Sequence, residues 1–179
     1  MSEQTPMKTQ ILSVIVENKS GVLARIAGLF ARRGYNIESL AVGPTEDPEL
    51  SRITLQVAAP TDQILEQMVK QLNKLVEVLK IVELEEEHAV QRELALVKVR
   101  SDPGVRGQII EVVQLFRAKT VDAHTDSMTI EATGSPDKLR AMMDMLRPYG
   151  IRELVVSGLV ALGRGSTSLT DRGKIIQKR

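Results

Sequence analysis

The residues with the strongest claim to chemistry sit together in "ENKSGV", residues 17–22, between an apolar run and an amphipathic stretch. A turn that opens a helix leaves about four backbone N–H groups without an intrahelical acceptor, and the helix dipole adds roughly half a positive charge there. Such an end receives a carboxylate. Gly21 lets a ligand reach the backbone with no Cβ in the way. Asn18 brings a donor and an acceptor, and its amide oxygen suits an ammonium group. A free α-amino acid carries both charges side by side, and Val22, Leu23 and Ile37 would suit an aliphatic side chain. The same turn also fits a simpler role, in which Asn18 and Ser20 only cap the helix.

Elsewhere the chain offers little reaction chemistry. Its two histidines, His88 and His124, have no metal-ligand spacing, and there is no cysteine. No GxSxG, P-loop or dinucleotide fingerprint occurs, so no catalytic residue and no metal ligand is assigned. A net charge of +1 supplies no field to recruit nucleic acid or a membrane surface. Aromatic residues make up 2% of the chain, too few for a base-stacking sheet. No apolar run approaches the roughly 18 residues of a membrane span, and the polar N-terminus lacks a signal-peptide core. A cytoplasmic location is expected.

The elements that must position the turn follow from periodicity. Residues 9–17, "TQILSVIVE", predict a buried strand. Val22, Leu23, Ile26, Ala27 and Phe30 then mark one helix face, and Gly34 marks its end. Residues 36–43 and 51–58 predict strands joined by "PTEDPEL". Thr61 or Asp62 caps a second helix with Ile64, Leu65, Met68, Val69 and Leu72 inward, and residues 76–85 predict a further strand. The order is β-α-β-β-α-β. Residues 85–93, "EEEHAVQRE", read as a polar linker.

The second half repeats that order. Residues 94–100 predict a strand, and Val105, Ile109, Val112, Val113 and Phe116 a helix face. Residues 120–124 and 128–133 form a hairpin. Ser135 with Pro136 starts a helix with Leu139, Met142, Met143 and Leu146 inward, and residues 151–157 close the unit. The expected fold is α+β, two ferredoxin-like units in tandem. Residues 8–85 form the ligand-binding domain, 93–160 the second domain, and 161–179 a flexible basic tail. Laid over one another, the units keep the Gly-Val pair at Gly21-Val22 and Gly104-Val105. Asn18 becomes Ser101, Ser20 becomes Pro103, Gly34 becomes Arg117 and Asn36 becomes Lys119, so the copy is not expected to bind the same ligand.

The run "LSVIVENKSGVLARIAGLFARRGYNIESLAVGPTEDPELSRITLQV", above all "RRGYNIESL" followed by "TEDPELSR", closely resembles the ACT domain of acetolactate synthase small regulatory subunits. "QLNKLVEVLKIVEL" and "RELALVKV" extend the likeness over nearly the whole chain. The resemblance implies a subunit without catalytic activity that binds a large catalytic subunit. That partner would carry thiamine diphosphate, FAD and Mg²⁺, while this chain binds no cofactor. It further implies activation of the partner and feedback inhibition by a branched-chain amino acid, usually valine. The effector would lie between the ACT domains of a homodimer. One protomer would give Asn18, Gly21, Val22 and Leu23, with Lys19 and Ser20 flanking, and the other Asn36 and Ile37. The other reading is an ACT-type module that senses an amino acid for a different enzyme or a transcription factor.

Overall fold

The computed structural model describes residues 8–166, 168 and 169. It divides into two units. Gln91–Gly158 forms one, and the described residues up to Val90 together with those from Leu159 onward form the other.

The first unit runs β1 (Lys8–Glu17), α1 (Val22–Arg32), β2 (Ile37–Pro44), β3 (Leu50–Ala59), α2 (Asp62–Leu72) and β4 (Val78–Leu84). Its antiparallel sheet has the order β2-β3-β1-β4, which puts β1 in the interior. Leu12, Val14 and Val16 of β1 join Ile53, Leu55 and Val57 of β3 in a core shared with the helices. The alternate residues Ile11, Ser13 and Ile15 are buried as well. Burial on both faces is why β1 reads as an unbroken apolar run. Helix α1 buries Val22, Ile26, Leu29 and Phe30, a spacing of four, three and one. The expected face erred at Leu23 and Ala27, which are exposed; Leu29 takes their place because the buried stripe turns toward it. Thr61 caps α2, its hydroxyl accepting the N–H of Ile64 at 3.3 Å, a contact that typically contributes about 1 kcal/mol.

The second unit repeats the layout with β5 (Ala89–Arg100, its first two residues belonging to the first unit), α3 (Arg106–Leu115), β6 (Lys119–Ala123), β7 (Ser127–Gly134), α4 (Pro136–Leu146) and β8 (Ile151–Val156). Its strand order is β6-β7-β5-β8. Ala95, Val97 and Val99 pack against Ile109, Val112, Val113, Leu139, Met142, Met143 and Leu146. Both units are thus βαββαβ folds of the ferredoxin-like kind.

Two expectations are corrected. Residues 85–93 are not a plain linker: a short turn of 3₁₀ helix, Glu86–His88, leads into β5 at Ala89. The strand starts early because Ala89 and Gln91 continue its buried alternation. The segment after β8 is not all tail, nor does Val160 end the second domain. A ninth strand, β9 (Val160–Gly163), pairs with β5, and the N–H of Arg164 donates to His88 O at 2.8 Å. Leu159 and Ala161 are buried with Ile11, Leu84 and Ala89 in a cluster of the first unit. Ile11 neighbours Leu12 on β1, so it faces away from the helix side. The short apolar segment therefore covers sheet surface that would otherwise meet water. The expected tail beyond it falls mostly on 167 and 170–179, outside the described residues.

Candidate functional site

Helix α1 starts on Gly21, whose φ of 85° and ψ of −11° lie in the left-handed region, and no side chain caps it. The first intrahelical bond runs from Arg25 N to Gly21 O at 3.0 Å. The N–H groups of Val22, Leu23 and Ala24 precede it in the first turn. Neither Ser20 nor Asn18 serves as a cap, and the capping role weighed from sequence is not what these side chains do.

Asn18 is held from the other direction. Its backbone N–H donates to Glu49 O at 2.7 Å, and its Nδ2 donates to Pro48 O at 3.0 Å. Both acceptors lie on the connection between β2 and β3. That anchoring employs the NH₂ side of the amide and leaves the oxygen as an acceptor. Lys19 Nζ pairs with Glu17 Oε2 at 2.8 Å. The hydrogen bond that Lys19 donates to Glu17, and then the charge of Glu17, hold the Lys19 ammonium above its ordinary pKa. Arg25, one turn into the helix, is paired with Glu77. A Cβ built on Gly21 would have the Arg25 guanidinium 3.9 Å away as its nearest neighbour. Space is open there; the backbone angle is what favours glycine.

Of the other residues expected at the site, Ser20 is exposed, Leu23 is 40% exposed and Val22 is buried in the core. Val22 can therefore offer a ligand only its backbone. Asn36 is exposed and Ile37, the first residue of β2, is half-buried against the core. These two follow α1, whereas Asn18–Gly21 precede it. Eleven helical residues separate the two groups, about 16 Å at 1.5 Å per residue. One chain does not gather them around a single small molecule.

The corresponding turn of the second unit is filled by the protein itself. Ser101 N donates to Asp126 O at 2.9 Å, reproducing the bond from Asn18 to Glu49. Arg106 stands where the first unit has Leu23. Its Nε donates to Ser101 Oγ at 3.1 Å, and one terminal nitrogen reaches Ser101 O, His124 O and Thr125 O at 2.9, 2.6 and 2.8 Å. A cation bound to three carbonyls now ties the turn to the β6–β7 hairpin. The sequence reading found the lost asparagines and missed Arg106. Its substitution for Leu23 in the internal alignment was the available signal.

The first helix of each unit ends in the same way. Gly34 at φ 68° follows α1, with Tyr35 N bonded to Phe30 O at 3.1 Å and Gly34 N to Ala31 O at 3.2 Å. Arg117 at φ 53° follows α3, with Ala118 N to Val113 O at 2.8 Å and Arg117 N to Gln114 O at 3.0 Å. These are the paired bonds of a Schellman motif. In the first, the Tyr35 and Phe30 rings meet edge to face with centroids 5.9 Å apart.

Among the described residues, no helix is long and apolar enough to cross a membrane, and no group of three or more His, Cys, Asp or Glu could hold a metal ion.

Comparison with known proteins covers both units. Residues 12–80 match the family model described as an AHAS small subunit-like ACT domain, and residues 92–165 match that of the small subunit of acetolactate synthase. The acetolactate synthase small subunit of Mycolicibacterium smegmatis is 60% identical over 165 residues, 92% of this chain and 95% of the relative. A probable acetolactate synthase small subunit of Archaeoglobus fulgidus is 52% identical over 155 residues, 87% of this chain and 96% of the relative. The crystal structure of the small subunit from Thermotoga maritima superposes with a TM-score of 0.83 at 39% identity, covering 90% of this chain and all of that one. With the two βαββαβ units and these relatives in agreement, the chain belongs to the acetolactate synthase small-subunit family.

Proposed function

We propose that the chain is a non-catalytic regulatory subunit that activates the large catalytic subunit of acetolactate synthase and makes it sensitive to feedback inhibition by a branched-chain amino acid, valine first. The observation that carries the effector reading is the start of α1. A left-handed glycine, a first turn with no side-chain cap and an asparagine anchored through its NH₂ group stand within four residues of one another. The effector carboxylate meets the first-turn N–H groups near Gly21, and its ammonium meets the amide oxygen of Asn18. Lys19 and Ser20 flank the turn.

Asn36 and Ile37 complete the site from a second copy of the chain. The length of α1 supports this, because it keeps the two groups apart within one protomer. β2 is an edge strand of its sheet, and pairing across such an edge satisfies its open backbone groups in a homodimer. A ligand shared by two protomers interacts differently with their two arrangements, which is the requirement for allosteric control. Thiamine diphosphate, FAD and Mg²⁺ belong to the catalytic partner, and no residue of this chain is assigned to them.

Calorimetric titration of the full chain with valine, leucine and isoleucine, with and without the catalytic subunit, tests the reading. Saturable binding of one of the three, with inhibition of the reconstituted enzyme over the same concentrations, is the expected result. Reconstitution that raises activity without any amino-acid binding would remove the effector half of the proposal.

A further inference from the structure

The strand that begins at Asn36 and Ile37 also touches the chain far downstream. Ser39 Oγ, on β2, accepts the N–H of Leu159 at 2.7 Å. Leu159 is fully buried among Ile11, Leu84, Ala89 and Ala161, so that N–H has no water to turn to if the bond is lost. The pairing of β2 with β3 slips between Ile37 and Ser39, leaving Glu38 as an extra residue. A bulge of this kind interrupts the ladder and bends the strand at that point.

Two residues before Leu159 the chain is fixed again. The N–H of Ser157 donates to Leu94 O at 2.9 Å, and Ser157 Oγ accepts the N–H of Leu94 at 2.9 Å. Both of these residues belong to the Gln91–Gly158 unit, while Leu159 belongs to the other. Gly158 is the single residue between the two anchors.

We infer that Ser39 is a positioning residue that carries the response of β2 to the effector into the Gln91–Gly158 unit, through Leu159 and the one-glycine connection. This rests on the effector site proposed above. A ligand gripping Asn36 and Ile37 acts on the short arm of the bulge, and Ser39 is the first residue beyond it. Loss of the bond would leave the buried Leu159 N–H unpaired, so a ligand that displaces Ser39 acts on an energetically significant contact.

The full chain carrying Ser39→Ala is compared with Ser39→Thr, which keeps the hydroxyl oxygen. Valine binding is measured by calorimetry, inhibition is measured after reconstitution with the catalytic subunit, and exchange of the Leu159 amide is followed in the wild-type chain. The expected result is valine affinity within about twofold of wild type for Ser39→Ala, with the half-inhibitory concentration raised at least about fivefold, the lower end of ordinary allosteric coupling. Ser39→Thr restores inhibition, and valine changes the exchange rate of the wild-type Leu159 amide. An inhibition curve for Ser39→Ala that superimposes on wild type overturns the inference, as does a Leu159 amide indifferent to bound valine. If valine fails to bind the wild-type chain at all, the effector reading falls first and this inference with it.

Discussion

The amide nitrogen of Asn18 is bonded to the carbonyl oxygen of Pro48 at 3.0 Å, across thirty residues of sequence. The residue expected to meet an effector's ammonium group is therefore oriented by the β2–β3 connection rather than by its own helix.

Replacing Asn18 with alanine removes one exposed side-chain bond, worth about 1 kcal/mol in stability. The same change takes away the acceptor for the ammonium group. Thermal unfolding should move little, while valine affinity by calorimetry should fall at least about tenfold, the equivalent of one charge-assisted hydrogen bond. Unchanged affinity in a folded Asn18→Ala chain would put the effector elsewhere.

Gly21 separates backbone cost from ligand cost. Gly21→Ala introduces a Cβ with room around it but at φ 85°, so it should destabilise the chain by about 1 kcal/mol. Asp tolerates the left-handed region better, so Gly21→Asp should unfold no earlier than the alanine variant. Its carboxylate, however, occupies the charge position of the effector, and valine binding should be abolished. Denaturation curves and calorimetry on the two variants read these effects separately.

Arg106→Ala leaves three carbonyls, those of Ser101, His124 and Thr125, without their donor. Bonds to a charged group carry more than neutral ones, so a loss of about 2 kcal/mol is expected. Hydrogen exchange should rise at the β6–β7 hairpin while valine affinity stays at the wild-type value. A weakened affinity would mean that the second turn is not merely structural.

Asp126 and Glu93 respond to acid in opposite senses. A hydrogen bond from Arg152 at 2.9 Å, then its charge, holds the Asp126 carboxyl below its ordinary pKa. Its contribution to stability is present above the usual aspartate pKa of about 3.9 and is lost as pH falls through the lowered folded value. Burial raises Glu93, opposed by the charge of Arg140. That contribution is present below the usual glutamate pKa of about 4.3 and is lost as pH rises through the raised one. Carboxyl NMR titration of wild type and Arg152→Gln should show Asp126 returning upward and Glu93 unmoved.

The helices and strands were legible because their buried stripes are strongly periodic: Leu139, Met142, Met143 and Leu146 were all placed correctly from spacing alone. Leu29 was not, because Leu23 and Leu29 are chemically equivalent and only the neighbouring sheet decides which is covered. The turn at Asn18 was visible as a helix start, but its bond to Pro48 depends on a loop whose path no local pattern encodes. The fold of residues 159–163 was missed for a related reason. Two alternating apolar positions, Leu159 and Ala161, are too short a signal until Ile11 and Leu84 stand opposite them.

Arg117 offers a different test of how the halves diverged. It adopts φ 53° where Gly34 adopts φ 68° in the first unit, and a non-glycine residue there costs about 1–2 kcal/mol. Arg117→Gly should raise the midpoint of thermal unfolding, the gain reduced by glycine's greater freedom in the unfolded chain to about 0.5–1 kcal/mol. A midpoint that stays put or falls would show that the arginine side chain compensates for its backbone.

That left-handed arginine has a bearing on adaptation. The two backbone bonds that close the motif persist in both copies, although only one retains the residue best suited to it. Natural proteins sit near the stability their setting demands and rarely at their optimum. Position 117 is therefore held in reserve: a lineage moving to a hotter habitat could gain heat tolerance there by one exchange, without touching the turn at Asn18–Gly21 or the packing of either unit.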